Sequence, residues 1–136
     1  MENVRVKLPK NSSGLSGEYF VAAELYRRGY SVGMTIGNAK AVDLFAEKDG
    51  KVHQVQVKTI YSKKSVGWPI MTHMVKADVI YVLVNLNETN APDYYILKPE
   101  EMIPLIQDYE KSKRGVLQLG RVKKRAEFKD RWDRIS

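Results

Sequence analysis

The sequence predicts an α/β protein in which a mixed central sheet is flanked by helices. Three observations support this prediction: an amphipathic helix early in the chain, two strands joined by a tight turn, and a β-branched apolar run typical of a buried central strand. The chain has 136 residues, of which 43% are hydrophobic and 29% are charged. This length and composition predict a single folded domain over residues 1–136.

The first predicted element is a helix over residues 16–28. Ser16 is a suitable N-cap, and Gly29 stands where helices commonly end. Glu18 is followed at i+3, i+4 and i+7 by the apolar residues Val21, Ala22 and Leu25. Glu18 therefore shares the stripe that faces the sheet, where a lone buried carboxylate is costly. Taken by itself, Glu18 is a first-turn charge that favours the helix N-terminus.

A hairpin is predicted over residues 41–60. "AVDLFAE" has the pattern of a strand, "KDG" that of a tight turn, and "KVHQVQVKTI" that of the returning strand. Strand side chains alternate between the two faces of a sheet. One face of the second strand carries Val55, Val57 and Thr59, and the other carries Gln54, Gln56 and Lys58. The first set suits a core, whereas the second is a row of polar groups.

The second half of the chain is predicted to complete the sheet. "DVIYVLVNL" is typical of a central strand buried on both faces, and "YYILK" predicts another strand. Pro99 and Pro104 each stand where a helix can start, which predicts helices over "PEEM" and "PLIQDYEKSK". "GVLQLG" is consistent with an edge strand. Residues 61–77 show no clean period, so this connection is left open between a short helix and a strand.

A basic helix is predicted at the C-terminus, over about residues 121–136. Phe128, Trp132 and Ile135 follow the spacing i, i+4, i+7 and would form one apolar stripe. The favoured interpretation is a docking helix whose other face is solvated. The alternative is that its basic side also faces DNA.

The overall charge favours an anionic partner. Lys and Arg total 23 against 16 Asp and Glu, which gives a net charge of +7. The chain has no cysteine, which excludes disulfides and thiolate zinc sites. The longest apolar run, "VIYVLV", is too short to span a membrane. With no apolar signal segment at the start, we expect a cytoplasmic protein without membrane contact.

Four polar residues together indicate a site for phosphate chemistry. Asp43 stands near a strand start, where Asp is uncommon unless it caps a turn. Gln56 and Lys58 lie side by side and, alone, fit a solvated strand face. With Glu18, they can converge at one edge of the sheet, where two carboxylates and an amide would suit Mg²⁺. A lysine beside them would position or deprotonate water and offset charge on a phosphate.

At these residues a resemblance to a known family becomes specific. The segments "GEYFVAAELYRRGY" and "AVDLFAEKDGKVHQVQVKT" resemble the PD-(D/E)xK nuclease superfamily, including small homing endonucleases and archaeal Holliday-junction resolvases. The resemblance implies a restriction-endonuclease-like αβββαβ core with a crossover helix before the buried strand. It also implies a Mg²⁺-dependent DNA endonuclease in which Mn²⁺ substitutes, acting as a homodimer without an organic cofactor.

The resemblance also assigns roles to individual residues. Glu18 corresponds to the helix glutamate, Asp43 to the metal aspartate, Gln56 to the second motif position and Lys58 to the catalytic lysine. Glu18, Asp43 and Gln56 would hold the metal. From positive charge and not from the resemblance, the expected DNA-binding residues are Lys63, Lys64, Lys123, Lys124 and Arg125. For Lys63 and Lys64 the alternative is ordinary surface charge.

The chain departs from the family pattern at two positions. Val42 stands where the motif has Pro, and Gln56 replaces the usual acid, which removes one negative charge from the metal site. The loss of that acid motivates an alternative function, a catalytically inactive nuclease-fold module that binds nucleic acid or a protein. A second alternative, a Holliday-junction resolvase, differs from the endonuclease only in its substrate.

Overall fold

The computed structural model describes residues 8–9, 11–35 and 42–136. The helices are α1 (Ser12–Arg27), α2 (Pro99–Met102) and α3 (Leu119–Lys123). The strands are β1 (Ser31–Met34), β2 (Leu44–Lys48), β3 (Lys51–Ile60), β4 (Gly67–Pro69), β5 (Val79–Asn85), β6 (Asp93–Leu97), β7 (Ile106–Tyr109) and β8 (Arg114–Gln118). They form a central sheet ordered β1-β2-β3-β5-β6 and a second sheet ordered β4-β8-β7. The predicted mixed sheet with flanking helices is therefore confirmed.

Helix α1 begins four residues earlier than predicted. The additional turn is supported by a backbone hydrogen bond from the Leu15 N–H to the Asn11 carbonyl. Glu18 consequently lies beyond the first turn, which contains no acidic residue, so a role as a first-turn charge does not apply. The predicted apolar stripe is confirmed, because Val21, Ala22 and Leu25 are all buried. The helix is followed by Gly29, whose positive φ of 94° suits glycine.

The hairpin of β2 and β3 forms as predicted. Its turn consists of Asp49 and Gly50, both with positive φ, as a two-residue turn of the type I′ class requires. The register places Leu44 opposite Val55. Both side chains are fully buried on the side of the sheet that α1 covers.

The connection from β3 to the parallel strand β5 contains no α-helix. In place of the expected crossover helix, the chain forms β4 and a 3₁₀ turn over Thr72–Met74. Trp68 anchors this segment, because its side chain is fully buried and its Nε1–H donates to the Val84 carbonyl at 3.0 Å. The absence of a helical apolar period over residues 61–77 agrees with this irregular crossover.

The helix predicted from "PLIQDYEKSK" is wrong. Ile103–Leu105 forms a 3₁₀ turn, and the chain then forms the hairpin of β7 and β8. Strand β8 pairs with β7 on one side and with β4 on the other. Because β4 lies in the crossover far back in the sequence, this pairing overrides the local preference.

The predicted continuous helix over residues 121–136 is also wrong. α3 ends at Lys123, and the last helical turn is a 3₁₀ turn over Trp132–Arg134. Between them the chain pairs with β6: the Ile96 N–H donates to the Phe128 carbonyl, and the Asp130 N–H donates to the Tyr94 carbonyl. An exposed sheet edge has unpaired backbone groups, and here the C-terminal segment satisfies those of β6.

The central sheet separates two hydrophobic cores. On one side α1 packs against β2, β3 and β5, and Trp132 and Ile135 complete this core. On the other side the second sheet and α3 enclose a core that contains Trp68, Leu117 and Phe128. The apolar residues of the C-terminal segment are therefore buried as predicted, but they are divided between two cores and do not form one helical stripe.

Gly17 allows α1 to approach β3 closely. A Cβ atom at Gly17 would collide with the Thr59 hydroxyl and β-carbon, whereas Gly14, in the same helix, faces open space. We expect Gly17→Ala to destabilise the protein by about 1–3 kcal/mol, because overpacking outweighs the better helix propensity of alanine. Gly14→Ala is the matched control and should be neutral or stabilising by up to about 1 kcal/mol. Urea unfolding of both variants measures the difference, and equal stabilities would contradict the close contact.

Candidate active site

Asp43 lies at the entry to β2 and is held by the backbone of β3. Its side chain is buried, and the residue is 6% exposed. Oδ2 accepts the Val57 N–H at 2.7 Å, and the Asp43 N–H donates to the Val55 carbonyl at 3.0 Å. Regular β2–β3 pairing stops at Leu44, so the Asp43 carboxylate supplies the hydrogen-bond acceptor for Val57. This explains how a strand accommodates an aspartate at a buried position.

The chain preceding β2 is also fixed, by Thr35 at the end of β1. The Thr35 N–H donates to the Asp43 carbonyl at 3.0 Å, and its hydroxyl donates to the Val42 carbonyl at 2.6 Å. Thr35 thus holds the backbone that presents the Asp43 carboxylate. Thr35 could not be predicted from the sequence, because a side chain that bonds to a backbone carbonyl seven residues away leaves no pattern in the sequence.

Gln56 and Lys58 lie on the face of the sheet opposite α1. Val55 and Val57 pack in the core on the α1 side, so strand alternation turns Gln56 and Lys58 to the other side. Asp43 bonds to the two residues that flank Gln56 on β3, Val55 and Val57. The predicted polar row therefore faces the side of the second sheet. Gln56 and Lys58 are both half-buried there.

Glu18 reaches the same end of β3 from the helix side. Gly17 lies against Thr59, the residue that follows Lys58, and Glu18 is the next residue of α1. Glu18 is half-buried. The structure thus brings α1, the start of β2 and the last third of β3 to one end of the central sheet, where the four predicted residues are located.

The predicted DNA-binding residues lie in two places. Lys63 and Lys64 are exposed in the turn directly after β3, at the end of the sheet that carries Lys58. Lys123 and Lys124 are exposed at the end of α3, on the side of the second sheet. Arg125 is engaged within the fold, because its Nε lies 2.6 Å from Glu127 Oε1 and its guanidinium stacks 5.3 Å from the Phe128 ring centre. Lys63 and Lys64 are therefore the better placed of these cations for a bound phosphate.

The donor groups at this end of the sheet fit a hard divalent cation. Two carboxylates and one amide offer oxygen atoms, which Mg²⁺ prefers and supplements with water. Across the described ranges, no three or more His, Cys, Asp and Glu side chains group in a way that would hold a metal ion. Gln56 contributes an amide at the motif position where an acid would add a third carboxylate.

Comparison with known proteins identifies the family to which the chain belongs. Residues 10–102 match the PD-(D/E)XK endonuclease family, and the chain belongs to it. The matched region contains Glu18, Asp43, Gln56 and Lys58, so the resemblance noted in the sequence is confirmed at the level of the family.

The fold is also similar to that of a solved structure, a bacterial homing endonuclease named I-Ssp6803I. The two chains are 17% identical and superpose with a TM-score of 0.55, which covers 71% of this chain and 70% of the other. A search among curated protein sequences finds no significant match. Among the described helices, none has the length and apolar character needed to cross a membrane.

The hydrogen bond from the Val57 N–H to Asp43 should contribute to the stability of the fold, independently of any catalytic role of Asp43. Asp43→Asn keeps a side-chain oxygen that can accept the Val57 N–H, whereas Asp43→Ala leaves that group without its acceptor. We expect Asp43→Ala to lower the free energy of unfolding by about 1–3 kcal/mol and Asp43→Asn to lower it less. Urea unfolding and the exchange rate of the Val57 amide measure this. Wild-type stability and exchange in Asp43→Ala would show that the hydrogen bond is unimportant.

Proposed function

We propose that the protein is a metal-dependent endonuclease that hydrolyses phosphodiester bonds in DNA, with Mg²⁺ as its cofactor and Mn²⁺ able to substitute. The observation that carries this proposal is the placement of Asp43. Its buried carboxylate is fixed by the Val57 N–H beside Gln56, at the end of the sheet that also carries Lys58 and receives α1. Membership of the endonuclease family supports the same conclusion.

Each residue has a role that follows from its chemistry. Glu18 and Asp43 would bind the cation through their carboxylates, and Gln56 would complete or orient the site through its amide oxygen. When bound, the cation supplies Lewis-acid polarisation of the phosphate and lowers the pKa of water. The Lys58 ammonium donates hydrogen bonds, so it can hold the attacking water and offset charge that grows on the phosphate. Lys63 and Lys64, and then Lys123 and Lys124, would contact the DNA backbone, whereas Arg125 would first have to leave Glu127.

The assembly and compartment belong to the same proposal. One minimal domain holds one cleavage centre, and cutting both strands of a duplex requires two, which supports a homodimer. The sequence has no cysteine, as suits the reducing interior of a cell, and we propose a cytoplasmic location.

A nicking assay on supercoiled plasmid tests this function. Wild-type protein should convert the plasmid to nicked or linear forms with Mg²⁺ or Mn²⁺ and should lose this activity in EDTA. Asp43→Asn removes a negative charge while keeping the acceptor for Val57, and Lys58→Ala removes the ammonium. Both variants should be at least about 100-fold slower, the scale on which single electrostatic groups act in catalysis. Lys51→Ala, an exposed cation at the β2–β3 turn, is the control and should cut normally.

The substrates and outcomes separate the remaining alternatives. Linear duplex and a synthetic four-way junction are included beside the plasmid, and cutting of the junction alone would identify a resolvase. Failure to cut any substrate, with salt-sensitive DNA binding retained in Asp43→Asn and Lys58→Ala, would contradict the nuclease. That result would favour the nuclease-fold binding module, for which Gln56 is the motivating observation.

Gln56 offers a second test of the metal site. Gln56→Glu restores a carboxylate of nearly the same size and adds one negative charge. We expect the affinity for Mn²⁺ to increase at least about tenfold. One additional negative charge at a partly buried site should strengthen the binding free energy by about 1.4 kcal/mol or more. Isothermal titration with Mn²⁺ measures the change, and Gln54→Glu on the same strand is the control. Unchanged Mn²⁺ affinity in Gln56→Glu would remove Gln56 from the metal site.

A further inference from the structure

The second sheet has a solvent-facing side that the proposed chemistry does not use. Its inner side packs on the central sheet through Trp68 and Leu117, which are fully buried. Because strand side chains alternate, the residues next to Leu117 and its inward-facing neighbours point away from the core and form the outer face. They are Gln107 and Tyr109 on β7 and Arg114, Val116 and Gln118 on β8. We call these five residues the outer face.

The outer face is held rigidly by contacts beneath it. Asp108 points inward and its Oδ1 accepts the Thr72 N–H at 3.0 Å, which joins β7 to the crossover segment. This hydrogen bond lowers the pKa of Asp108. Gly115 lies so close to the Ile70 carbonyl that a Cβ atom there would collide with it. The strands are thus positioned before any ligand binds, which reduces the entropy lost on binding.

Positive charge is concentrated in the segments that build this second layer. Residues 61–76 and 105–125 contain ten of the 23 Lys and Arg residues but only two of the 16 Asp and Glu residues. These segments therefore carry a charge of +8, while the rest of the chain carries −1. Lys111 and Lys113 stand at the β7–β8 turn, and both are exposed. A layer with this charge is complementary to a polyanion.

A shallow apolar groove borders the outer face on the side of the segment that follows β3. It begins at Val66, which is 70% exposed and lies two residues after Lys64. From there it passes Pro69 and Met74 and ends at Tyr109 and Arg114. A ligand that contacts Lys63 and Lys64 at the end of β3 can therefore continue onto the outer face.

We propose that the outer face enters the major groove of duplex DNA and reads base pairs there. The proposal rests on the nuclease function and adds the source of its sequence preference. The major groove is about 12 Å wide and admits a β-ribbon, and β8 spans about 13 Å from Arg114 to Gln118. Arg pairs with guanine through two hydrogen bonds, and Gln pairs with adenine in the same way. Arg114 is assigned to guanine, Gln107 and Gln118 to adenine, and Lys111 and Lys113 to flanking phosphates.

Selection from a random duplex library tests this assignment. The full-length protein binds the library in Ca²⁺ or EDTA, so that binding is measured without cutting, and the bound DNA is sequenced. The wild type should enrich a motif that contains at least one guanine. Arg114→Lys keeps the charge but loses the two-pronged donor, so the preference at one guanine should fall by about 10- to 100-fold. Its affinity for unselected duplex should remain within about threefold, because the phosphate contacts persist.

Charge removal at the hairpin turn should have a different effect. Lys113→Ala should weaken binding to all sequences alike and reduce the slope of log affinity against log salt by about 1. Lys51→Ala removes a cation from the far hairpin and should change neither quantity. Thermal unfolding of each variant checks that the fold is retained, as expected for exposed side chains.

The results distinguish this inference from the nuclease function. Base reading by the outer face is contradicted if the wild type enriches no motif. It is also contradicted if Arg114→Lys and Arg114→Ala enrich the same motif as strongly as the wild type does. Plasmid cutting by the wild type, together with an unchanged motif in both Arg114 variants, contradicts base reading by the outer face but not the nuclease function. A guanine preference that depends on Arg114, without cutting by the wild type, supports base reading by the outer face and contradicts the nuclease function.

Discussion

The close contact between α1 and β3 is the constraint on which the candidate site depends. Gly17 permits the helix backbone to lie against Thr59, and the neighbouring residues on both elements are Glu18 and Lys58. A larger residue at position 17 would separate the helix from the strand. The carboxylate and the ammonium belong to different elements, so their common location depends on this packing and not on either element alone. The hydrogen bond from the Val57 N–H then fixes the third group, the Asp43 carboxylate at the entry to β2, against β3.

Most of the central sheet could be predicted from local patterns. The alternation along β3, the Asp49–Gly50 turn and the apolar run of β5 each determine their own element, because burial on one face or both has a direct signature in sequence. The four residues proposed for the site came from the same patterns, and their roles stay a prediction. Glu18 and Asp43 are carboxylates among apolar neighbours, and Gln56 and Lys58 belong to a polar row on one strand. Their relative distances could not be predicted, because these depend on how α1 packs against the sheet.

The second layer was predicted poorly for a physical reason. β4, β7 and β8 are short, and the pairing of β4 with β8 joins segments about fifty residues apart. Local preference in "PLIQDYEKSK" favours a helix, whereas the backbone groups of β8 are satisfied only when strands form on both sides. The C-terminal segment shows the same conflict. The spacing of Phe128, Trp132 and Ile135 is helical, but the chain pairs with the open edge of β6 and buries Phe128 in a different core from the other two.

The amide at position 56 changes the electrostatic balance of the site. With glutamine there, Glu18, Asp43 and Lys58 contribute a net charge of −1, whereas an acid would make it −2. Coulomb energies are large at partly buried positions, so the site repels an approaching phosphate less but also attracts a cation less strongly. Glutamine at this position also stabilises the folded protein in the absence of a cation, because two carboxylates at one end of a sheet repel each other less than three do. The positive charge of the second layer, +8 over residues 61–76 and 105–125, adds to the reduced repulsion of an anion at this end of the sheet.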